Sequence, residues 1–146
     1  LLCRLTREIP GVIGVKQSAG DMKLFADLMI MADADHLIFS AVDALLYSCY
    51  ALGAHGAIAA ILAAAPGPSV ALWEATASGQ LDNAVYLHER ILQLWNAING
   101  QNLPACTKYA QTIQQIPAGL PRRPMTMPEP SEQSIIRSAL DGLGLI

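Results

Sequence analysis

Three short apolar segments alternate with helical patterns in the first 66 residues. They are Val12 to Lys16, the segment LIFSA at 37–41 and the segment GAIAAI at 56–61. Each segment is apolar at successive positions, which is typical of a parallel strand in a sheet whose two faces are both covered. The alternation of such strands with helices predicts an α/β fold built on a parallel sheet.

Helical patterns fill the stretches around these strands. Residues 1–8 have the pattern of a helix end. Asp21 is a typical N-cap before apolar residues at helical spacing, which are Met22, Phe25, Leu28 and Met29. Asp43 is predicted to open the next helix, and Gly53 to close it as a C-terminal cap.

After residue 66 the pattern becomes entirely helical. Helices are predicted between Pro68 and Gly79, from Asp82 to Ile98, and over LPACTKYAQTIQQI. The apolar stripe predicted for the second of these is Leu81, Val85, His88, Leu92 and Trp95.

A Pro-rich connection at residues 117–130 precedes a last helix, which Ser131 is predicted to cap and which runs to about Leu140. We therefore expect two parts in the chain. Residues 1–66 hold the βα units, and residues 67–146 hold a helix that covers the sheet and a C-terminal helical bundle.

Composition and charge narrow the class of protein. The 146 residues are 53% hydrophobic and 14% charged, which fits a domain with a substantial core. The net charge of −3, without a basic run, argues against a nucleic-acid partner. No apolar run has the length of a membrane span, and the first residues do not form a signal peptide. Because Leu1 is not a Met, we expect the chain to begin inside a longer one.

The cysteines and histidines indicate neither disulfides nor a metal. Cys3, Cys49 and Cys106 are odd in number and widely spaced, as expected of reduced thiols in a cytoplasmic protein. The three histidines have no ligand spacing with one another or with a cysteine. We expect no metal site and no cofactor.

Lys16 is the residue that carries candidate chemistry. It ends an apolar strand, whereas the other two lysines lie in polar helical surroundings. One explanation is that its stem is buried and its ammonium reaches water. The other is catalytic, because ligands of parallel α/β sheets bind at the carboxyl ends of strands. A desolvated lysine there has a lowered amine pKa and can form a Schiff base with a carbonyl.

Three stretches give the chain a family resemblance. IPGVIGVKQSAGD, IFSAVDALL and ALGAHGAIAAI resemble the C-terminal half of the dihydrodipicolinate synthase and N-acetylneuraminate lyase family. The resemblance covers essentially the whole chain, and the stretch G-V-K-x-x-x-G-D is its most specific part. It implies strands six to eight of a (β/α)₈ TIM barrel, followed by a C-terminal helical extension. It also implies a class I, Schiff-base lyase or synthase that acts on pyruvate or a 2-keto acid.

The resemblance also implies roles for particular residues. Lys16 would be the catalytic Schiff-base lysine at the tip of the sixth strand. Ser40 and Ala41, at the end of the seventh strand, and Ile58, in the eighth, would bind the substrate, with the backbone carbonyl of Ile58 facing it. A small-molecule substrate and a homo-oligomer, dimer or tetramer, are expected.

The sequence departs from the family pattern at two places. Ala41 stands where the family usually has glycine, and AAILAAA stands where many synthases have hydroxyl and amide residues. Both changes make the pocket tighter and less polar. A 2-keto-acid aldolase, or an aldolase or dehydratase of keto-sugar acids, fits them at least as well as the synthase of lysine biosynthesis.

Length adds a further expectation. A full barrel takes roughly 250 residues, so an N-terminal half-barrel is required. That half would supply the glycine-threonine motif for the substrate carboxylate and the tyrosine that relays protons. The inward faces of Val15, Phe39 and Ile61 or its neighbours would lack an opposite wall.

Two alternatives remain open at this point. The first is a non-catalytic structural or regulatory member of the same family. The second is a small flavodoxin-like domain in which Lys16 contacts an anion, although QSAGD offers only one glycine for a phosphate.

Overall fold

The computed structural model describes all residues, 1–146, and contains three strands and eight α-helices. The strands are β1 (Gly14–Gln17), β2 (Leu37–Ser40) and β3 (Gly56–Ala57). The helices are α1 (Leu2–Glu8), α2 (Met22–Met31), α3 (Leu46–Ala51), α4 (Ile61–Ala64), α5 (Pro66–Ala77), α6 (Leu81–Ile98), α7 (Leu103–Ile113) and α8 (Pro130–Asp141), and a 3₁₀ helix at Asp43–Leu45 precedes α3. No helix combines the length and the hydrophobicity that a membrane crossing requires.

The three strands form one parallel sheet in the order β1-β2-β3, which confirms the predicted parallel sheet. Lys16 is paired with Phe39, and Phe39 is paired with Gly56. This sequential order is the one that consecutive strands of a barrel have, whereas the first three strands of a flavodoxin-like sheet have the order 2-1-3.

One face of the sheet is covered by helices. Ile38 is 1% exposed and lies in a core cluster with residues from all the helices α2 to α8. Val15 packs against the same cluster. The expectation that Val15 and Ile61 face a missing wall is therefore wrong, because Ile61 is also fully buried, in α4.

The third strand is shorter than the apolar segment predicted. Pairing ends at Ala57, and the chain enters α4 at Ile61. The N–H of Ile61 donates to Oδ1 of Asp43 at 2.7 Å. Asp43 is the first residue of the 3₁₀ helix that leads into α3, as predicted, but its carboxylate bonds to the start of α4 and makes no capping bond in its own helix.

Two other caps differ from the prediction, and two are confirmed. The carboxylate of Asp21 accepts from the N–H groups of Lys23 and Leu24 at the start of α2, as expected. Gly53 follows α3 with a φ of +94°, as its predicted C-terminal role requires. Asp82 lies inside the first turn of α6 without capping it. Glu129, rather than Ser131, caps α8 in a capping box with Glu132.

The buried stripe of α6 is offset from the predicted one. Ala84, Ile91, Leu94 and Ile98 are the buried residues, whereas Leu81 and Val85 are 58% and 40% exposed. The helix packs on α5 and α8, and the angular position of those neighbours selects the face that is buried. The offset is about one residue, within the width of the apolar stripe.

Candidate active site

Lys16 lies near the carboxyl end of β1, and its side chain is exposed. Side chains alternate between the two faces of a strand, and paired residues of parallel neighbours share a face. Lys16, Phe39 and Gly56 therefore lie on the face of the sheet opposite the helix-covered core. A Cβ on Gly56 would lie 3.2 Å from the Phe39 ring, which places those two residues on one side.

Ala41 and Ile58 continue this face beyond the strand ends. The N–H of Ala41 donates to the carbonyl of Gln17 at 3.0 Å, and the N–H of Ile58 donates to the carbonyl of Ser40 at 2.8 Å. These bonds extend the ladder, so the alternation carries on through both residues. Ile58 is 53% exposed. Three of the four sequence-predicted site residues are thus brought to one open face.

Ser40 is placed differently from the other three. It is paired with Gln17 and Ala57, and its side chain is fully buried on the helix-covered side. Its hydroxyl has no hydrogen-bond partner. A ligand beside Lys16 would meet the backbone of Ser40, and not its hydroxyl.

The turn after Lys16 is held by local hydrogen bonds. Oε1 of Gln17 accepts from the N–H of Ala19 at 2.8 Å. Gly20 has a φ of +74°, a conformation that glycine adopts without the steric cost of a side chain. With Asp21 as the N-cap of α2, the turn leads from the strand end directly into the helix.

Phe39 and Gly56 were not among the predicted site residues, although they share the Lys16 face. The signal that could have found them is the alternation of side chains, counted from Lys16 across two parallel neighbours. This count requires the register, that is, which residues of neighbouring strands are paired. The sequences of three short strands do not determine it.

The model of the family described as "Dihydrodipicolinate synthetase family" matches residues 2–142. The chain belongs to this family. Its relatives include the 4-hydroxy-tetrahydrodipicolinate synthases of Methanopyrus kandleri, 28% identical over 98% of this chain and 48% of the relative, and of Moorella thermoacetica, 29% identical over 95% of this chain and 48% of the relative. The chain spans about half the length of the curated relatives it matches.

Solved structures of the dihydrodipicolinate synthetase family agree with this fold. A monomeric dihydrodipicolinate synthase variant superposes with a TM-score of 0.90 at 21% identity, over 99% of this chain and 49% of the other. A putative dihydrodipicolinate synthetase from Pseudomonas aeruginosa gives a TM-score of 0.88 at 25% identity, over 97% and 49%. The three-stranded parallel sheet and its helices are thus consistent with part of a TIM barrel.

Proposed function

We propose that this chain is the C-terminal half of a Schiff-base lyase or synthase, and that Lys16 is its catalytic residue. The carrying observation is the position of Lys16, at the carboxyl end of a parallel strand and on the one sheet face that no helix covers. Ligands of parallel α/β folds bind at this end of the strands.

The other two lysines have partners that account for them. Nζ of Lys23 forms an ion pair with Asp27 at 2.6 Å, one turn along α2. Nζ of Lys108 donates to the carbonyl of Ala118. Lys16 has neither a hydrogen bond nor an ion pair in this chain, which leaves its amine free to act as a nucleophile.

The reaction begins when the neutral amine of Lys16 attacks the keto carbon of the substrate. A C–N bond forms and the C–O bond breaks. The oxygen leaves as water, with one proton from the amine and one from solvent, and an iminium results. The iminium withdraws electrons from the neighbouring carbon, so a C–H or C–C bond there breaks more easily. We propose pyruvate or a 2-keto acid as the substrate, and aldol cleavage, condensation or dehydration as the reaction.

The polarity of the open face favours a less polar acceptor than that of many synthases. Ala41 supplies no hydroxyl or amide group there. The segment AAILAAA at 59–65, which follows Ile58, contains none either, and its Ile61, Ala64 and Ala65 are buried in the core. A 2-keto-acid or keto-sugar-acid aldolase therefore remains as strong a candidate as a synthase. The alternative is a non-catalytic family member.

An N-terminal half-barrel is part of this proposal. It would desolvate Lys16 and supply the groups that bind the substrate carboxylate. A homo-oligomer and a cytoplasmic location remain predictions, the latter from three unpaired cysteines.

The test is reductive trapping in the complete protein. Borohydride added with pyruvate should place one reduced adduct on the peptide that contains Lys16. Lys16→Ala should abolish the adduct, and the control Lys23→Ala should retain it, because Lys23 lies on an exposed helical surface. An adduct on another lysine, or undiminished labelling of Lys16→Ala, would contradict the proposal.

A further inference from the structure

The one-turn helix α4 is held from outside at both of its ends. At its start, Oδ1 of Asp43 accepts from the N–H of Ile61 at 2.7 Å. At its end, Nε2 of Gln111 donates to the carbonyl of Ala63 at 2.9 Å, and Nε2 of Gln114 donates to the carbonyl of Ala64 at 2.8 Å. Four residues are too few for a stable isolated helix, so these bonds are needed to define it.

The segment before α4 carries the exposed face of the candidate site. Ile58 is fixed to the carbonyl of Ser40 at 2.8 Å, and only Ala59 and Ala60 separate it from Ile61. Ser40 and Asp43 therefore hold residues 58–61 at two points from the same β2–α3 connection. The backbone between those two points is therefore held by hydrogen bonds within the chain, without any contact from the substrate.

We infer that Asp43 is a positioning residue that sets the backbone of residues 58–60 against the Lys16 face. The expected effect of Asp43 on substrate binding rests on the proposed function. Its effect on the position of the backbone rests only on the hydrogen bonds described above. Gln111 of α7 and Gln114, the residue that follows this helix, extend the same support and connect the C-terminal bundle to the ligand face.

The test compares Asp43→Ala with Asp43→Asn in the complete protein. Asparagine keeps an Oδ1 acceptor for the Ile61 N–H, whereas alanine removes it. Asp43→Ala should raise the KM for pyruvate by roughly threefold to tenfold, because a lost cap lowers the population of the ordered segment that pyruvate meets, with a smaller change in kcat. Asp43→Asn should restore most of the wild-type KM. Asp82→Ala is the matched control, because Asp82 makes no capping bond in α6.

Amide hydrogen exchange and backbone chemical shifts without pyruvate supply a readout that is independent of the chemistry. In Asp43→Ala, the Ile61 amide should exchange faster and the Ile58 amide resonance should move; neither should change in Asp82→Ala. If Asp43→Ala does not fold, Asp43→Glu displaces the carboxylate by one methylene and serves instead. Failure of wild-type protein to form the adduct would refute the proposed function alone. Unchanged Ile61 exchange and Ile58 resonance would overturn the inference, as would an unchanged KM in a protein that does form the adduct.

Discussion

At the scale of residues, Ala41 lies beside Lys16, where a bound ligand would approach the backbone. It lies on the Lys16 face, one residue beyond β2, and its N–H is engaged by Gln17. Its φ is not positive, so alanine fits this backbone without strain. A glycine at this position, which the family usually has, would therefore enlarge the space beside the backbone without changing the backbone conformation.

We expect Ala41→Gly to favour bulkier acceptors. Removing the β-carbon enlarges the pocket by one carbon, and a single methylene in a pocket changes kcat/KM roughly tenfold or more. The ratio of kcat/KM for a large and a small aldehyde acceptor should rise by about that factor. Ala57→Gly, on the opposite face, is the control and should leave the ratio unchanged. An unchanged ratio in Ala41→Gly would mean that position 41 does not contact the acceptor.

At the scale of elements, α3 and α6 meet through an aromatic contact. The rings of Tyr47 and His88 have centroids 5.7 Å apart and are tilted by 34°. Burial lowers the pKa of His88 below the ordinary histidine value of 6.5, and the nearby Glu89 opposes this only in part. The fold therefore favours the neutral imidazole, because the charged form loses hydration at this partly buried position.

The pH dependence of stability follows from this shift. Since the unfolded chain binds the His88 proton more tightly than the folded chain, the free energy of unfolding should fall as the pH drops below about 6.5. Thermal unfolding of the complete protein at pH 7.5 and pH 5.5 measures the loss. His88→Gln, whose side chain does not titrate, should show a smaller loss over this interval. An equal loss in both proteins would show that other groups account for the dependence.

At the scale of the whole molecule, the free edge of β3 and the outer surface of α5 form an open cleft. Its volume is about 290 Å³, and it is lined by Tyr50, His55, Gly56, Ala57, Leu62, Pro66, Ser69, Val70 and Trp73. Val70 and Trp73 are 56% and 39% exposed. An unpaired strand edge beside apolar side chains favours association with further chain. The proposed N-terminal half would pair with this edge and cover these residues.

Trp73 should report the closure of the barrel. The chain has two tryptophans, and Trp95 already packs against the core. In Trp95→Phe, the emission of Trp73 should be blue-shifted in the complete protein relative to the 146-residue chain, because burial removes water from the indole. Trp73→Phe is the control, and its remaining emission should be nearly the same in both lengths of chain. A Trp73 emission that does not differ between them would place the missing half elsewhere.

The sequence alone determined the parallel sheet and singled out Lys16. Runs of adjacent apolar residues, and a lysine that ends one of them, are local features that can be identified from the amino-acid sequence alone. Tertiary structure decided where β3 ends, which face of the sheet Ser40 occupies, and which stripe of α6 is buried. The strand ends at Ala57 because the path into α4 is fixed by Asp43, a partner 18 residues away from Ile61. Ser40 points into the core because its register with Gln17 and Ala57 puts it there, and register is a relation between strands that no single segment contains.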